Sequence, residues 1–282
     1  VEVMVMGEYT EEGAVHILYD GRSCAFLPLE LLYKKPPQWE FKAEWIHPEQ
    51  RFREPWISEV KNHNEMLKVV LSRPNICSKE WVARQYDHEV KGCSVIKHYL
   101  GVHRDVESPA VVFRPLLNRK EGIIVTQVLN PKFSKIDTYH MTLNVVDEAL
   151  RRVASVGGIR FNGDEMERVG LVDNFCWPEI RESEENPDAK YKAAQLVRSL
   201  EALKEVQEKL KVPFLSGKDS MYIDGKVIGK FGEKHRISGL PCLQITAVAS
   251  MDDIGKCVTL DFKFPGDLIY ICLLYTSPSP RD

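Results

Sequence analysis

The chain has 282 residues, 44% of them hydrophobic, so it is long enough to bury a core in one large domain or two smaller ones. Its formal net charge of -3 and its pI near 6.3 provide no basic field, which argues against nucleic acid as a partner. The sequence has no run of about 18 apolar residues, which argues against a membrane-spanning segment.

Seven cysteines are scattered along the chain, and none of them forms a CxxC pair. The odd count and the wide spacing argue against both a disulfide framework and a zinc site. We therefore expect reduced thiols and a cytoplasmic protein.

The first 33 residues alternate and turn like a small β meander. The dipeptides Glu12-Gly13 and Asp20-Gly21 separate its apolar stretches, and both favour hairpin turns. Residues 34–56 are rich in proline, charge and tryptophan and have no hydrophobic period, so they are predicted to form a linker.

Two helices and two strands are predicted after the linker. A helical apolar pattern runs from Asn64 to the proline at position 74, and Ser78 is placed to cap a second helix that ends near Gly92. Residues 111–113 and 122–128 are strand candidates.

The strongest helical pattern begins at Val145. Apolar residues stand at i, i+1, i+4, i+5 and i+8 from this position, and Gly157-Gly158 ends the pattern.

A strand, a helix and a second strand follow. Residues 169–172 are predicted to form a short buried strand that runs directly into Asp173. The dipeptide Asn186-Pro187 is predicted to open a long helix as its cap and first-turn proline. The next strand, residues 212–215, leads into the polar loop Ser216–Ser220.

A strand–helix–strand unit nearly always pairs in parallel, with a right-handed crossover. Both strands would then end on one edge of the sheet, where open α/β sheets bind ligands. We therefore expect Asp173 and the polar loop to meet there. A turn at Asp224-Gly225 and a last strand, residues 243–249, complete the predicted elements.

The residue types of the polar loop fit a site for phosphate and metal. Gly217 lets backbone amides approach an anion, and Lys218 adds a positive charge. Asp219 and Asp173 offer hard oxygen ligands for magnesium, and Ser220 can donate to a phosphate or a substrate. A P-loop is excluded, because the spacing GxxxxGK[ST] is not present. The alternative is a solvated strand-to-strand loop with a local Lys–Asp pair.

Other candidates carry weaker signals. Cys176 is a candidate nucleophile, His140 a candidate base, and Tyr86-Asp87-His88 a polar cluster on a helix. The simpler interpretations are a packed thiol, a structural hydrogen bond at a helix entrance and a solvated surface. The acidic run at 182–185 is expected to be a solvated loop.

Five motifs occur in the order typical of one enzyme family: SKEWVARQYDHEVKGCSVIK, IDTYHM, LVDNFCWPE, VPFLSGKDSMY and PGDLIYI. Together they resemble the second of the two duplicated synthetase halves of phosphoribosylformylglycinamidine synthase, over nearly all of residues 1–271. The resemblance implies an α+β (α/β-like) fold with an ATP-binding N-terminal domain like that of PurM, the aminoimidazole ribonucleotide synthetase.

The resemblance also implies a domain layout. Residues 1–60 would hold the end of a preceding C-terminal domain plus a linker, and residues 61–250 the ATP-binding domain. Residues 251–271 would begin a truncated C-terminal domain. Residues 272–282 resemble a translated sequencing adapter and are treated as a cloning scar, so we expect a fragment of a longer protein.

The family converts formylglycinamide ribonucleotide to the amidine, using ATP, magnesium and ammonia released from glutamine. ATP activates the amide oxygen as an iminophosphate, and ammonia then displaces phosphate. The implied partners are the first synthetase half of the same chain, a glutaminase subunit or domain, and the ribonucleotide substrate. The catalytic histidine belongs to the first half, so no catalytic residue is assigned here, and the isolated fragment is expected to be inactive.

The resemblance assigns roles to individual residues. Lys218 stands where some relatives carry a magnesium-binding Asn, so a phosphate contact is inferred for it instead. The implied ATP contacts are Asp173, Gly217 and Lys218, the implied metal ligands are Asp219 and Glu148, and the implied substrate contact is Ser220.

Two positions depart from the family pattern. Ser108 and Arg152 stand where many relatives carry an Asp and an Asn that bind metal and nucleotide in an auxiliary site. These departures favour an alternative, a catalytically silent half retained as a scaffold. Another alternative is a single-unit relative such as aminoimidazole ribonucleotide synthetase, against which the preceding-domain remnant at residues 1–60 argues.

Overall fold

The structure is a computed structural model. The residues that it describes are 3–35, 38–51, 53, 56–85, 89–162, 165–261 and 263–269. The chain divides into two compact units, one up to Phe41 and one from Lys42 onward. The predicted linker contains this boundary, whereas the cluster at 86–88 and the adapter-like residues 272–282 lie outside the described residues.

The first unit is built on a hairpin of β1 (Ala14–Tyr19) and β2 (Arg22–Pro28), followed by the short helix α1 (Leu29–Tyr33). The hairpin turn is Asp20-Gly21, with φ of 50° and 71°, as a two-residue type I′ turn requires. That predicted turn is confirmed. Residues 3–13 form no strand, so the predicted meander is reduced to one hairpin.

The second unit contains helices of very different lengths. Its described residues include α2 (Pro48–Arg51), α3 (His63–Leu71), α4 (Glu80–Ala83), α5 (Thr138–Ser155) and α6 (Ala189–Leu210). The predicted helix near Asn64 is confirmed as α3. The second predicted helix is α4, whose cap position is Lys79 and not Ser78, although Ser78 Oγ accepts a hydrogen bond from the Glu80 amide at 3.2 Å. This helix ends at Ala83, so the predicted cap and the predicted end near Gly92 are both wrong. Within the described part of the chain, no helix is both long and apolar enough to cross a membrane.

The apolar pattern of α5 is confirmed by burial. The Asp137 side chain accepts a hydrogen bond from the Tyr139 amide at 2.9 Å and so caps the helix. The helix ends at Ser155, and Gly157 follows with a φ of 90°, a conformation that suits glycine. Four residues of the predicted apolar pattern are fully buried: Val145, Val146, Ala149 and Val153.

The start of α6 differs from the prediction. The helix begins at Ala189, and Asn186 does not cap it. The buried amide of Asn186 donates to the carbonyl oxygens of Glu179 (2.9 Å) and Arg181 (2.8 Å), and it accepts from Lys192 Nζ at 2.7 Å. The predicted cap is therefore wrong, because this side chain fixes the loop before the helix.

The described residues of the second unit also include twelve strands. Their bounds are β3 (Ser94–Ile96), β4 (Tyr99–Leu100), β5 (Val106–Glu107), β6 (Val111–Phe113), β7 (Gly122–Leu129), β8 (Arg160–Asn162), β9 (Glu165–Glu167), β10 (Val169–Trp177), β11 (Phe214–Met221), β12 (Asp224–Ile228), β13 (Lys234–Ser238) and β14 (Cys242–Met251).

Six of these strands form a mixed sheet in the order β11-β10-β14-β7-β6-β3. Within this sheet, β10 and β11 run parallel and the other neighbours run antiparallel. The six shorter strands pair as the hairpins β4–β5, β8–β9 and β12–β13.

The long helix α6 links the parallel strands β10 and β11, which confirms the predicted strand–helix–strand unit. Helix α5 lies on β7 and β14 and packs beside α6. The core lies between these helices and the sheet and includes Leu171 and Phe175 of β10 and Ile245 of β14. The fold is therefore α+β, as predicted.

The predicted turn at Asp224 is the beginning of β12. The Asp224 carboxylate accepts hydrogen bonds from the Glu179 amide at 2.6 Å and from Ser238 Oγ at 2.5 Å. These bonds hold the residue in an extended strand, so the turn prediction is wrong.

Part of the predicted linker packs on α6. The rings of Trp45 and Tyr191 stack with centroids 5.3 Å apart, and the Arg198 guanidinium lies 4.4 Å from the Trp45 ring centroid. The Glu44 amide donates to the Lys190 carbonyl at 3.1 Å. The sequence did not show this contact, because a tryptophan in a segment without a period carries no information about its partner.

Candidate functional site

The predicted polar loop is part of a strand. Ser216–Ser220 lies inside β11, and Asp173 lies in the middle of β10. The expectation that a strand ends at each point is therefore wrong. Because β11 is an edge strand, its polar side chains reach solvent while its backbone pairs with β10. The predicted meeting of the two segments is confirmed, since Asp173 and Gly217 are register partners in the parallel pair.

The Asp173 carboxylate occupies the space where a side chain at position 217 would lie. A Cβ built on Gly217 would lie 2.9 Å from Oδ1 and 3.0 Å from Oδ2 of Asp173. Contacts this short are not sustained, so any larger residue would displace the Asp173 side chain. The close approach explains why glycine stands at this register position.

The pKa of Asp173 is raised above its ordinary value. The largest cause is burial, and the negative charge of Asp219 acts in the same direction, while a hydrogen bond with its own backbone opposes both. Among the described residues, no ion pair is formed by either carboxylate. Two neighbouring carboxylates without a counter-ion favour the binding of a cation.

Strand alternation separates the predicted ligands. Gly217 and Asp219 share the face of Asp173, which is the face that the helices cover. Lys218 and Ser220 point to the opposite, half-exposed face of the sheet. Neighbours in a strand point apart, so the alternative of a local pair between Lys218 and Asp219 does not fit this geometry.

Magnesium fits the pair Asp173 and Asp219. This ion is commonly held by one or two protein carboxylates and completes its shell with water and phosphate oxygens. In the part of the chain that the structure describes, no group of three or more His, Cys, Asp or Glu side chains is arranged to hold a metal. A magnesium ion at this pair would therefore take its other ligands from a phosphate or from water.

The predicted metal ligand Glu148 is occupied by internal donors. Its Oε1 accepts from Nε (3.0 Å) and Nη2 (2.6 Å) of Arg152, and its Oε2 accepts from Asn130 Nδ2 at 3.0 Å. Arg152 also donates to the Gln127 carbonyl at 3.2 Å. The guanidinium already supplies the positive charge at this carboxylate, so this part of the chain does not fit a divalent cation.

Ser108, the other departure from the family pattern, is buried and fully engaged. Its Oγ donates to the Ala110 carbonyl and its amide to the His98 carbonyl, each at 2.7 Å. The structure therefore gives Ser108 a role in the local backbone and no charge to offer a metal.

The weaker candidates keep their simpler interpretations. The His140 side chain is exposed and lies 4.0 Å from the Asp137 carboxylate. Cys176 Sγ lies 3.8 Å from Asn174 Oδ1, and no histidine of the described chain contacts it. The acidic run at 182–185 is exposed, as predicted.

Sequence reasoning missed two polar residues on the half-exposed face. Asn174 Nδ2 donates to Gln244 Oε1 at 3.3 Å, beside the register position of Lys218. These partners are 70 residues apart in sequence, and only the antiparallel pairing of β10 with β14 brings them together. Asn174 belongs to the VDN stretch and gives a weak signal, whereas Gln244 gives none.

No family model matches the chain. Curated relatives do, and each is a phosphoribosylformylglycinamidine synthase subunit PurL. The identities are 30% over 272 residues for Thermococcus sibiricus, 28% over 269 residues for Methanocaldococcus jannaschii and 26% over 273 residues for Picrophilus torridus. The matches cover 95–96% of this chain but only 32–33% of each relative. The chain therefore spans about a third of the length of the curated relatives that it matches.

Solved structures from Thermotoga maritima show the same fold. The PurLQS structure matches with a TM-score of 0.53 and 20% identity, covering 88% of this chain and 33% of that chain. T. maritima PurL complexed with ATP matches with a TM-score of 0.51 and 21% identity, and PurL complexed with FGAR with 0.50 and 20%. They cover 88% of this chain and 33% and 32% of theirs. The resemblance inferred from the motifs and the α+β fold are both confirmed.

Proposed function

We propose that this chain is part of a cytoplasmic, ATP-dependent ligase of purine biosynthesis that converts formylglycinamide ribonucleotide to the amidine. The nitrogen is ammonia released from glutamine by a glutaminase subunit or domain. ATP activates the amide oxygen as an iminophosphate, which ammonia then attacks. The PurL relatives over nearly the whole chain and the shared fold support this proposal.

One observation carries the proposal. The parallel pairing of β10 with β11 puts the Asp173 carboxylate against Gly217 and beside Asp219, and the structure describes no counter-ion for the two acids. Both carboxylates would hold magnesium, which neutralises phosphate charge when it is bound. The absence of a side chain at Gly217 would let a phosphate approach the backbone.

The edge position of β11 would allow residues on both faces of the sheet to contact one ligand. An edge strand is open along one side, so a polyphosphate lying against that side can reach both faces of the sheet. Lys218 would contact phosphate from the half-exposed face, while the two carboxylates hold the metal from the helix side. Ser220, two residues further along the same face as Lys218, would contact the ribonucleotide.

The half-exposed face of the sheet would pack against the first synthetase half, which would supply the catalytic histidine. Leu215 of β11 and Leu129 of β7 are 62% and 50% exposed on that face. In this layout residues 61–250 form the ATP-binding domain and residues 1–60 end a preceding one. The chain alone would then make no amidine, because holding phosphates does not supply the reacting groups.

A calorimetric titration of the chain with ATP, with and without magnesium, tests the site. We expect magnesium-dependent binding that falls at least about tenfold in Asp173→Asn and in Asp219→Asn, since each variant removes a metal ligand. Glu184→Gln, in the exposed acidic loop, is the matched control and should bind as the parent does. Equal affinity in all four proteins would show that the two acids are not at the nucleotide site.

The second candidate is a silent half that serves as a scaffold. The ion pair between Glu148 and Arg152 favours it, because it occupies a predicted metal ligand with an internal cation. A scaffold would bind no ATP at any magnesium concentration and would still associate with a separately expressed first half. Magnesium-dependent ATP binding would exclude it.

A further inference from the structure

Two cysteines face each other across the middle of the sheet. Cys176 of β10 and Cys242 of β14 are direct register partners in the antiparallel ladder, so their side chains leave the same face. Directly opposite residues have Cα atoms about 4.5 to 5.5 Å apart, within the range of about 4.4 to 6.8 Å that disulfides span. Both side chains are partly exposed, and both thiols are free in the structure.

Their place in the ladder favours closure. They form the last register pair between β10 and β14, and Cys242 is the first residue of its strand. Opposite residues have Cβ atoms about 4.5 to 5.5 Å apart, whereas a disulfide needs about 3.5 to 4.5 Å. The two strands must therefore approach by up to roughly 1 Å, and a ladder end adapts more easily than its centre.

We propose that Cys176 and Cys242 are a redox-active dithiol that closes to a reversible disulfide across β10 and β14. The oxidant is a peroxide. One thiolate sulfur attacks a peroxide oxygen, which releases water and leaves a sulfenic acid. The second thiol attacks that sulfur, the S–S bond forms and a second water leaves, so two thiols and one hydrogen peroxide give one disulfide and two waters.

The surroundings assign the order of attack. Burial raises the pKa of the Cys242 thiol to about 11, and the neighbouring Cys176 adds to this shift. Cys242 therefore stays protonated near neutral pH and is a poor first nucleophile. The first attack falls to Cys176, and Cys242 resolves the sulfenic acid.

The pair lies next to the candidate site. Cys176 is also the register partner of Ser220 on the other side of β10, and its Sγ lies 3.8 Å from Asn174 Oδ1. Closing the disulfide would therefore move the strand beside Ser220. The dithiol itself does not depend on the proposed ligase activity, and its test does not use that activity.

The test is peroxide treatment of the purified chain, followed by blocking of free thiols and peptide mass spectrometry with and without reductant. We expect one linked peptide pair joining Cys176 to Cys242, lighter by two hydrogens and released by dithiothreitol. In Cys176→Ser the linked pair should be lost and Cys242 should alkylate fully. In Cys242→Ser, Cys176 should accumulate as sulfenic acid, because its resolving thiol is gone. Cys257→Ser, a partly buried cysteine elsewhere, is the matched control and should keep the linked pair.

The inference is overturned if Cys176 and Cys242 both alkylate fully after peroxide, or if their linked peptides join other cysteines. Serine is close to cysteine in size, so the variants should fold, and the melting temperature of each reduced protein checks this. The two serine variants also test the order of attack. Sulfenic acid that accumulates on Cys242 in Cys176→Ser, and not on Cys176 in Cys242→Ser, would contradict it.

Discussion

Replacing Gly217 with alanine separates the nucleotide site from the stability of the fold. The added Cβ would lie 2.9 Å and 3.0 Å from the two oxygens of Asp173, so the carboxylate must rotate away. The displaced group is a flexible, half-buried side chain, so overpacking should cost only about 1 kcal/mol. The reduced freedom of the unfolded chain offsets about half of this cost. The melting temperature should therefore fall by no more than about 3 °C.

Gly217→Ala should lower the affinity for nucleotide by more than it lowers the stability of the fold. The displaced carboxylate no longer lies where a metal ion would be held, and the methyl group blocks approach to the backbone. Losing one charged interaction is worth about 1.5 to 3 kcal/mol, or roughly a 10- to 100-fold weaker affinity for magnesium-ATP. Calorimetry and thermal unfolding on the same samples measure both quantities.

Gly225→Ala is the matched control. A Cβ at Gly225 meets nothing within 4 Å and Gly225 has no positive φ, so this variant should match the parent in both measurements. Parental affinity in Gly217→Ala, or an equal loss of affinity in both variants, would refute the argument that Gly217 and Asp173 form one binding surface.

Three further predictions rest on single contacts. The pKa of Asp173 is raised in the folded state, so its contribution to stability is present below the ordinary pKa of 3.8 and is lost as the pH rises above that value. The free energy of unfolding of Asp173→Asn should therefore fall less than that of the parent when the pH is raised, as measured by denaturant titrations. Arg152→Ala should cost about 1 kcal/mol and free Glu148, so magnesium should raise the melting temperature of this variant by more than it raises that of the parent. An equal magnesium effect in the two proteins would contradict the role of the guanidinium. Trp45→Ala loses the contacts of the ring with Tyr191 and Arg198, so it should cost roughly 2 kcal/mol and lower the melting temperature by roughly 4 to 8 °C. Trp56 is 88% exposed, so Trp56→Ala should change the melting temperature little. Equal effects of the two variants would refute the packing of the linker on α6.

The elements that depend on local patterns of residues could be predicted from the amino-acid order alone. The spacing of apolar residues from Val145 predicted α5, because residues at this spacing lie on one side of a helix and can be buried together. A long helix between two strands was enough to predict that the strands pair in parallel, since such a crossover returns the chain to the same end of the sheet. That pairing brought Asp173 to Gly217, so the centre of the candidate site was predictable without the structure.

Features that depend on strand register, or on partners distant in sequence, could be seen only in the folded chain. The polar residues of Ser216–Ser220 predicted a loop, but they lie in an edge strand. An edge strand tolerates polar residues because one of its sides faces solvent. Neighbouring strand residues always point to opposite faces, but only the register decided that Asp219, and not Lys218, shares the face of Asp173; a shift by one residue would have exchanged them. The same long-range pairing set Cys176 against Cys242. These contacts join residues that no local pattern links, because side-chain neighbours across a sheet are fixed by strand pairing and not by the spacing of residues along the chain.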